Sequence, residues 1–287
     1  MSQRGMEEVD DTSPAGEEPS SRRGIRRASA SRSAEAVFPV EPLLDAIQSE
    51  VIPRLVEARR TDGRHPAPGE VTDFVRLLLD PEPARAGTFV EALLAEEMSL
   101  RTLYLELLAP AAELLGEYWK SDRCGFVDVT LASGRMQALL REHGAAFRSE
   151  YGREEHGGGR RAVLTAAPGD QHTFGILMVS EFFRRAGWNV SGGPLWSRNE
   201  PLQIVATTNV DVFGLSVANE RCVPELMALI PVIRATARNP NMKIMLGGGL
   251  FLENPDRAIE LGADGTMPDA EAAVRWANSV TARVINS

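Results

Sequence analysis

From residue 161 onward the chain alternates short apolar runs with helical patterns, and this alternation restricts the fold more than any other feature. The runs read as strands over 161–168, 188–194, 210–218, 242–251 and 263–267. The segments 172–187, 200–209, 223–238, 254–261 and 269–285 carry apolar residues at helical spacing. Strands and helices in strict alternation predict a doubly wound α/β domain with a five-stranded parallel sheet. Ligands of such sheets sit beyond the carboxyl ends of the strands, where strand order reverses. The segments to inspect are therefore 168–175, 214–219 and 246–251.

The first half has a different rhythm. Leu44, Ile47, Val51 and Leu55 give one apolar helical face, and Val71, Phe74, Val75 and Leu78 give a second before the stop at Asp80-Pro81. Phe89, Val90, Leu93 and Leu94 mark a third helix. Ser99 is placed to cap a fourth, which carries Leu103, Leu107, Leu114, Leu115 and Trp119 and should kink at Pro110. A last helix runs from Phe126 to about Ser149, with Val129, Met136, Leu139 and Leu140 inward. The short connections predict an antiparallel bundle. Four regions result: a charged, disordered tail over 1–38, a helical bundle over 39–150, a Gly-rich linker over 151–160 and the α/β domain over 161–287.

Composition excludes several classes. Hydrophobic residues make up 43% of the 287 and charged residues 25%, which is ordinary for a globular protein. No apolar stretch approaches the roughly 18 residues of a membrane span, and the N-terminus has no apolar signal core. Cys124 and Cys222 stand apart with no metal-ligand pattern, which suits a reducing cytoplasm. A net charge of −9 gives no general attraction to nucleic acid, so any DNA contact would be local or indirect.

The strand ends narrow the ligand. Ala167-Pro168-Gly169-Asp170-Gln171-His172 lacks the Gly-x-Gly-x-x-Gly of a dinucleotide site, and no Walker loop occurs. A phosphoacceptor receiver would need an aspartate where Leu215-Ser216-Val217-Ala218 stands, and a lysine near Thr266-Met267-Pro268. What the ends do carry is Asp170-x-His172-x-x-Gly175, Ser216-x-Ala218 and Gly247-Gly248. Each has an ordinary structural use: a surface pair, a capping hydroxyl, a turn. Their conjunction resembles the Asp-x-His-x-x-Gly, Ser-x-Leu, Gly-Gly signature of cobalamin-binding domains, whose α/β domain is flavodoxin-like. Ala218 departs from the usual leucine.

The resemblance implies that His172 is the lower cobalt ligand and that the displaced base enters a slot between sheet and helix. Imidazole suits a first-row transition ion. By resemblance, Asp170 accepts the other ring N–H and fixes the tautomer. A helix starting just after His172 should disfavour the imidazolium. Gly175 would let the nucleotide tail approach the backbone, Ser216 would offer a hydroxyl, and Gly247–Gly249 would leave room.

A helical bundle ahead of such a domain is similar to the cap over the upper corrin face in methionine synthase and in cobalamin photoreceptors. The photoreceptors carry Trp, nine residues, then Glu-His; here Trp119 is kept but Val129 and Thr130 replace the pair. Trp119 is thus either lid or core, and the missing histidine leaves the upper ligand open. The pattern Trp119-x-x-Asp122-x-x-x-Phe126-x-x-Val129-Thr130, with the tail and layout, resembles the AerR/PpaA group of photosynthetic bacteria. That resemblance implies a cobalamin-binding antirepressor (with haem as the alternative cofactor) that responds to light or redox state and acts on a transcriptional repressor. The chain has no second domain for radical or methyl chemistry, so catalysis is not expected. The competing expectation is a corrinoid carrier protein of a methyltransferase system.

Overall fold

The computed structural model describes residues 63–149, 159–193 and 199–282. The tail and the first expected helix lie outside the described residues, as does most of the Gly-rich stretch. Helices α1 (Glu70–Leu79) and α2 (Ala84–Ala95) open the bundle. Three consecutive helical pieces follow, Leu100–Thr102, the π-helical Leu103–Leu108 and Ala109–Lys120, together named α3. Helix α4 (Phe126–Ser149) closes the bundle. The Ser99 side chain caps α3 as expected, accepting the Thr102 N–H at 3.0 Å. The expected kink at Pro110 takes another form. Proline has no N–H to donate to the preceding turn, and the helix absorbs the missing bond in the π-helical piece just before it.

The α/β half runs β1 (Arg161–Ala166), α5 (Phe174–Arg185), β2 (Asn189–Ser191), α6 (Asn199–Thr207) and β3 (Val212–Ser216). It continues with α7 (Val223–Thr236), β4 (Lys243–Gly247), α8 (Asp256–Glu260), β5 (Gly265–Thr266) and α9 (Ala270–Val280). All strand pairs are parallel, in the order β2-β1-β3-β4-β5. The chain therefore reverses its winding between β1 and β3, where Ala166 pairs with Ser216 and Ser216 with Gly247. This is the flavodoxin-like order, with its ligand crevice at that reversal.

Bundle and sheet share a core. Met178 and Phe182 of α5 and Ala270 of α9 are buried in the same apolar cluster as Phe74, Leu103, Tyr104, Met136 and Phe147. Phe182 meets Phe147 edge-on at 4.9 Å between centroids, and Phe147 lies 4.6 Å from Tyr104. Each such contact adds about 0.5–1.5 kcal/mol beyond area burial. Tyr104 also satisfies its buried hydroxyl by donating to Leu140 O at 3.1 Å. The opposite face of the sheet packs Phe213, Leu215, Ile244 and Leu246 against Leu226, Ile230 and Ile233 of α7.

Candidate cofactor site

The loop after β1 is built around Asp170. Its side chain is 1% exposed, and its two oxygens take three hydrogen bonds. Oδ2 accepts the Ala218 N–H at 2.6 Å, while Oδ1 accepts the His172 N–H at 3.0 Å and lies 2.7 Å from His172 Nδ1. A carboxylate can only accept, so Nδ1 carries the proton of that contact and Nε2 is the nitrogen left for a metal. The His172 side chain is 54% exposed.

Burial pushes the Asp170 carboxyl upward, yet the bonds from the His172 ring, the Ala218 N–H and the His172 N–H outweigh it and hold the group below the usual carboxylate range. The bond to Asp170 raises the His172 imidazole above its ordinary value, against partial burial and the nearby Lys120 ammonium. Contrary to the expectation from sequence, the ring is therefore not biased toward its neutral form. The helix starts only at Phe174, and the hydrogen bond to the adjacent carboxylate favours the imidazolium.

Next to this pair a cavity of about 510 Å³ opens between α5, the ends of β3 and β4, and the start of α9. Gly175, Ser216, Gly247 and Gly248 all line it, as do Met245 and Met267. The glycines shape the space. A Cβ on Gly247 or Gly249 would meet nothing within 4 Å, and one on Gly175 would meet only Ser216 Oγ, at 4.0 Å. Gly248 is needed for another reason: at φ 107° a Cβ would stand 2.3 Å from Val217 O. Ser216 Oγ has no hydrogen-bond partner among the described residues. Ala218 is outside this lining; its contribution is the backbone N–H given to Asp170, which any residue but proline supplies.

The bundle contributes more than the sequence suggested. Arg101, Leu105, Ala109, Pro110 and Glu113 of α3 form the opposite wall of the cavity. Arg101 Nε and Nη2 bond Glu271 of α9 at 2.5 and 2.8 Å, a two-pronged ion pair in the cavity lining that joins the bundle to α9. Gln137 of α4 donates to Thr173 Oγ1 at 3.2 Å, tying the bundle to the histidine loop. Nothing in the sequence of α3 marks these residues as a wall; Pro110 reads there only as a kink. Trp119, at the end of α3, is 45% exposed and stays outside the core, as do Phe126, Val127 and Leu131 at the start of α4. Lys120 acts electrostatically on His172, which places this end of α3 beside the histidine loop.

Among the described residues, no group of three or more His, Cys, Asp or Glu side chains converges to hold a metal. One imidazole with a supporting carboxylate is a donor set for a metal that brings its other ligands with it. A glycine-walled slot beside that imidazole suits a bulky appendage of the same molecule.

Comparison with known proteins names that molecule. Residues 160–275 match the B12 binding domain family, and residues 71–142 match a second B12 binding domain family. The chain belongs to the B12-binding proteins. Cobalamin is its cofactor. An uncharacterized 20.5 kDa protein in the bchF-crtJ intergenic region of Rhodobacter capsulatus is 27% identical over 172 residues, covering 59% of this chain and 87% of that protein. Among solved structures, the monomethylamine corrinoid protein of Methanosarcina barkeri superposes with a TM-score of 0.63 at 16% identity, over 75% of this chain and all of its own. A cobalamin-binding protein from Desulfitobacterium hafniense covers 73% of this chain and 98% of its own at 17% identity, with a TM-score of 0.38, too low to bear on the fold. No helix among the described residues of this B12-binding protein is long and apolar enough to cross a membrane.

Proposed function

We propose that this B12-binding protein is a regulator without catalysis of its own, in which cobalamin state controls engagement of a transcriptional repressor. His172 would hold the cobalt through Nε2, and Asp170 would fix its tautomer. Gly175, Ser216, Gly247 and Gly248 receive the nucleotide tail, and Trp119 covers the upper face. When bound, cobalamin would supply a cobalt centre whose ligation is sensitive to light and redox state. The chain's own part is to hold the lower face, wall off the tail and present a bundle surface that responds.

The observation that carries the regulatory reading is the relative encoded in the bchF-crtJ intergenic region, together with the AerR/PpaA-like pattern from Trp119 to Thr130. Val129 and Thr130 supply no nitrogen ligand, which leaves the upper face open to a signal. The second reading, a corrinoid carrier for a methyltransferase, is favoured by the fold shared with the monomethylamine corrinoid protein. One experiment separates them. The cobalamin-loaded chain is added to a repressor–operator complex in dark and light, and in oxidant and reductant. Release of the repressor in one state supports the regulator. Methyl exchange with a corrinoid methyltransferase, without any effect on the repressor, sinks it.

A further inference from the structure

Helix α7 is apolar on both sides, although only one side is covered. Val223, Leu226, Leu229, Ile230 and Ile233 face the sheet and are buried. Between Glu225 in the first turn of α7 and Arg234 in its last, the outward residues Met227, Ala228, Pro231 and Val232 are exposed and carry no charge, as are Pro224 and Ala235 at its ends. Met227 is 59% and Val232 42% exposed. A solvated helix places charged residues on that face, and a helix apolar all round is buried. Ile259, on the flanking α8, is exposed as well.

Charge is segregated to the two ends of this strip. At the N-terminal end, Glu220 holds the Arg257 guanidinium at 2.6 Å, and Arg221, Glu225 and Glu260 stand nearby, three carboxylates against two guanidiniums. At the C-terminal end, Arg234 bonds Asp264 at 2.9 Å and Lys243 lies 4.0 Å from the same carboxylate, two cations against one. One end is net negative and the other net positive.

We propose that the outer face of α7 is where two copies of this chain pair about a two-fold axis, their α7 helices antiparallel. A two-fold contact brings the same patch together from both sides. Only the antiparallel arrangement sets each acidic end against the partner's basic end, while the uncharged residues between them meet and leave water. Charge matched this way fixes the register of an otherwise featureless apolar contact.

The test is the mass in solution of the full chain, by light scattering, with and without cobalamin. The wild type should show twice the 31.2 kDa of one chain, and Met227→Glu with Val232→Glu should bring it down to one. Glu260→Lys alone and Lys243→Glu alone should each weaken the dimer, by up to about fivefold, and the two together should restore it. An unchanged cobalamin spectrum in every variant shows that the fold is intact. A single-chain mass in the wild type overturns the proposal, as does a dimer indifferent to Met227→Glu with Val232→Glu. Reversals that fail to compensate also overturn it. Loss of repressor binding in those variants, with a monomeric wild type, would give the face to another protein and overturn pairing of two copies.

Discussion

Asp170 and Ala218 are joined by a 2.6 Å hydrogen bond from the Ala218 N–H to Oδ2, although they belong to loops after different strands. The bond fixes the histidine loop of β1 to the end of β3, so the imidazole is referenced to the sheet itself. Asp170→Asn keeps the shape but loses the charge and one acceptor. Outer partners of a ligating histidine are worth about 10- to 100-fold in metal affinity. Cobalamin affinity of Asp170→Asn, measured by absorbance titration, should fall by that order. An affinity equal to the wild type would show that Asp170 only shapes the loop.

The pH dependence of binding follows from the same pair. Asp170 raises the His172 imidazole above its ordinary value, so in the free protein the ring stays protonated to a higher pH than a solvated histidine. An imidazolium cannot ligate, so the association constant should climb with pH and level off above the raised value. Asp170→Asn should move that bend to lower pH. Stability of the cofactor-free chain runs the opposite way. The contribution of a group with raised folded pKa is complete below its unfolded value and is lost as pH rises through the folded one. Binding should therefore strengthen over the span in which the free chain loses a little stability. Titration of both quantities over the same pH range checks it, and a bend that Asp170→Asn leaves in place rules this origin out.

What the sequence made legible was the part fixed by local order and strand topology. Asp170, His172 and Gly175 are neighbours in the chain. Ser216 and Gly247 are adjacent in the sheet by register, so the winding rule alone brings them to one crevice. The cavity's other wall was illegible because it depends on how two separately patterned halves pack. Arg101 and Glu271 are 170 residues apart, and nothing in either helix specifies the other. The late start of α5 was missed for a similar reason. Residues 172 and 173 fit the helical pattern, but Asp170 takes the His172 N–H and ring and holds the residue out of the helix. The expected kink at Pro110 missed the π-helical piece before it, because the apolar spacing there, Leu103 and Leu107, is that of an ordinary α-helix.

The Arg101–Glu271 pair should act as an acid-sensitive latch between the bundle and α9. The bond from Arg101 holds the Glu271 carboxyl below its usual range, against the opposing effect of burial. A depressed folded pKa gives stability that is present above the unfolded value and lost as pH falls through the folded one. Both side chains are about a quarter exposed, so the contribution is modest, about 0.5–1 kcal/mol. Glu271→Gln should lower the urea midpoint near neutral pH and make no difference once the carboxyl of the wild type is protonated. A destabilisation equal at both pH values would mean that packing of the side chain matters and its charge does not.

The two glycines at the end of β4 should respond to substitution in opposite ways. Gly247 has open space where a Cβ would stand, so Gly247→Leu can fold with its side chain in the cavity. If the cavity takes the nucleotide tail, this variant should lose cobalamin affinity by roughly tenfold or more, about 1.4 kcal/mol. It should still bind cobinamide, which has no tail, as well as the wild type does. Gly248→Ala is strained, since its φ is 107° and the new Cβ would be 2.3 Å from Val217 O. It should lower the melting midpoint before any ligand is added, by the amount expected for about 1–3 kcal/mol of backbone strain. Equal losses for cobalamin and cobinamide in Gly247→Leu would remove the tail from this cavity, while leaving His172 as ligand untouched.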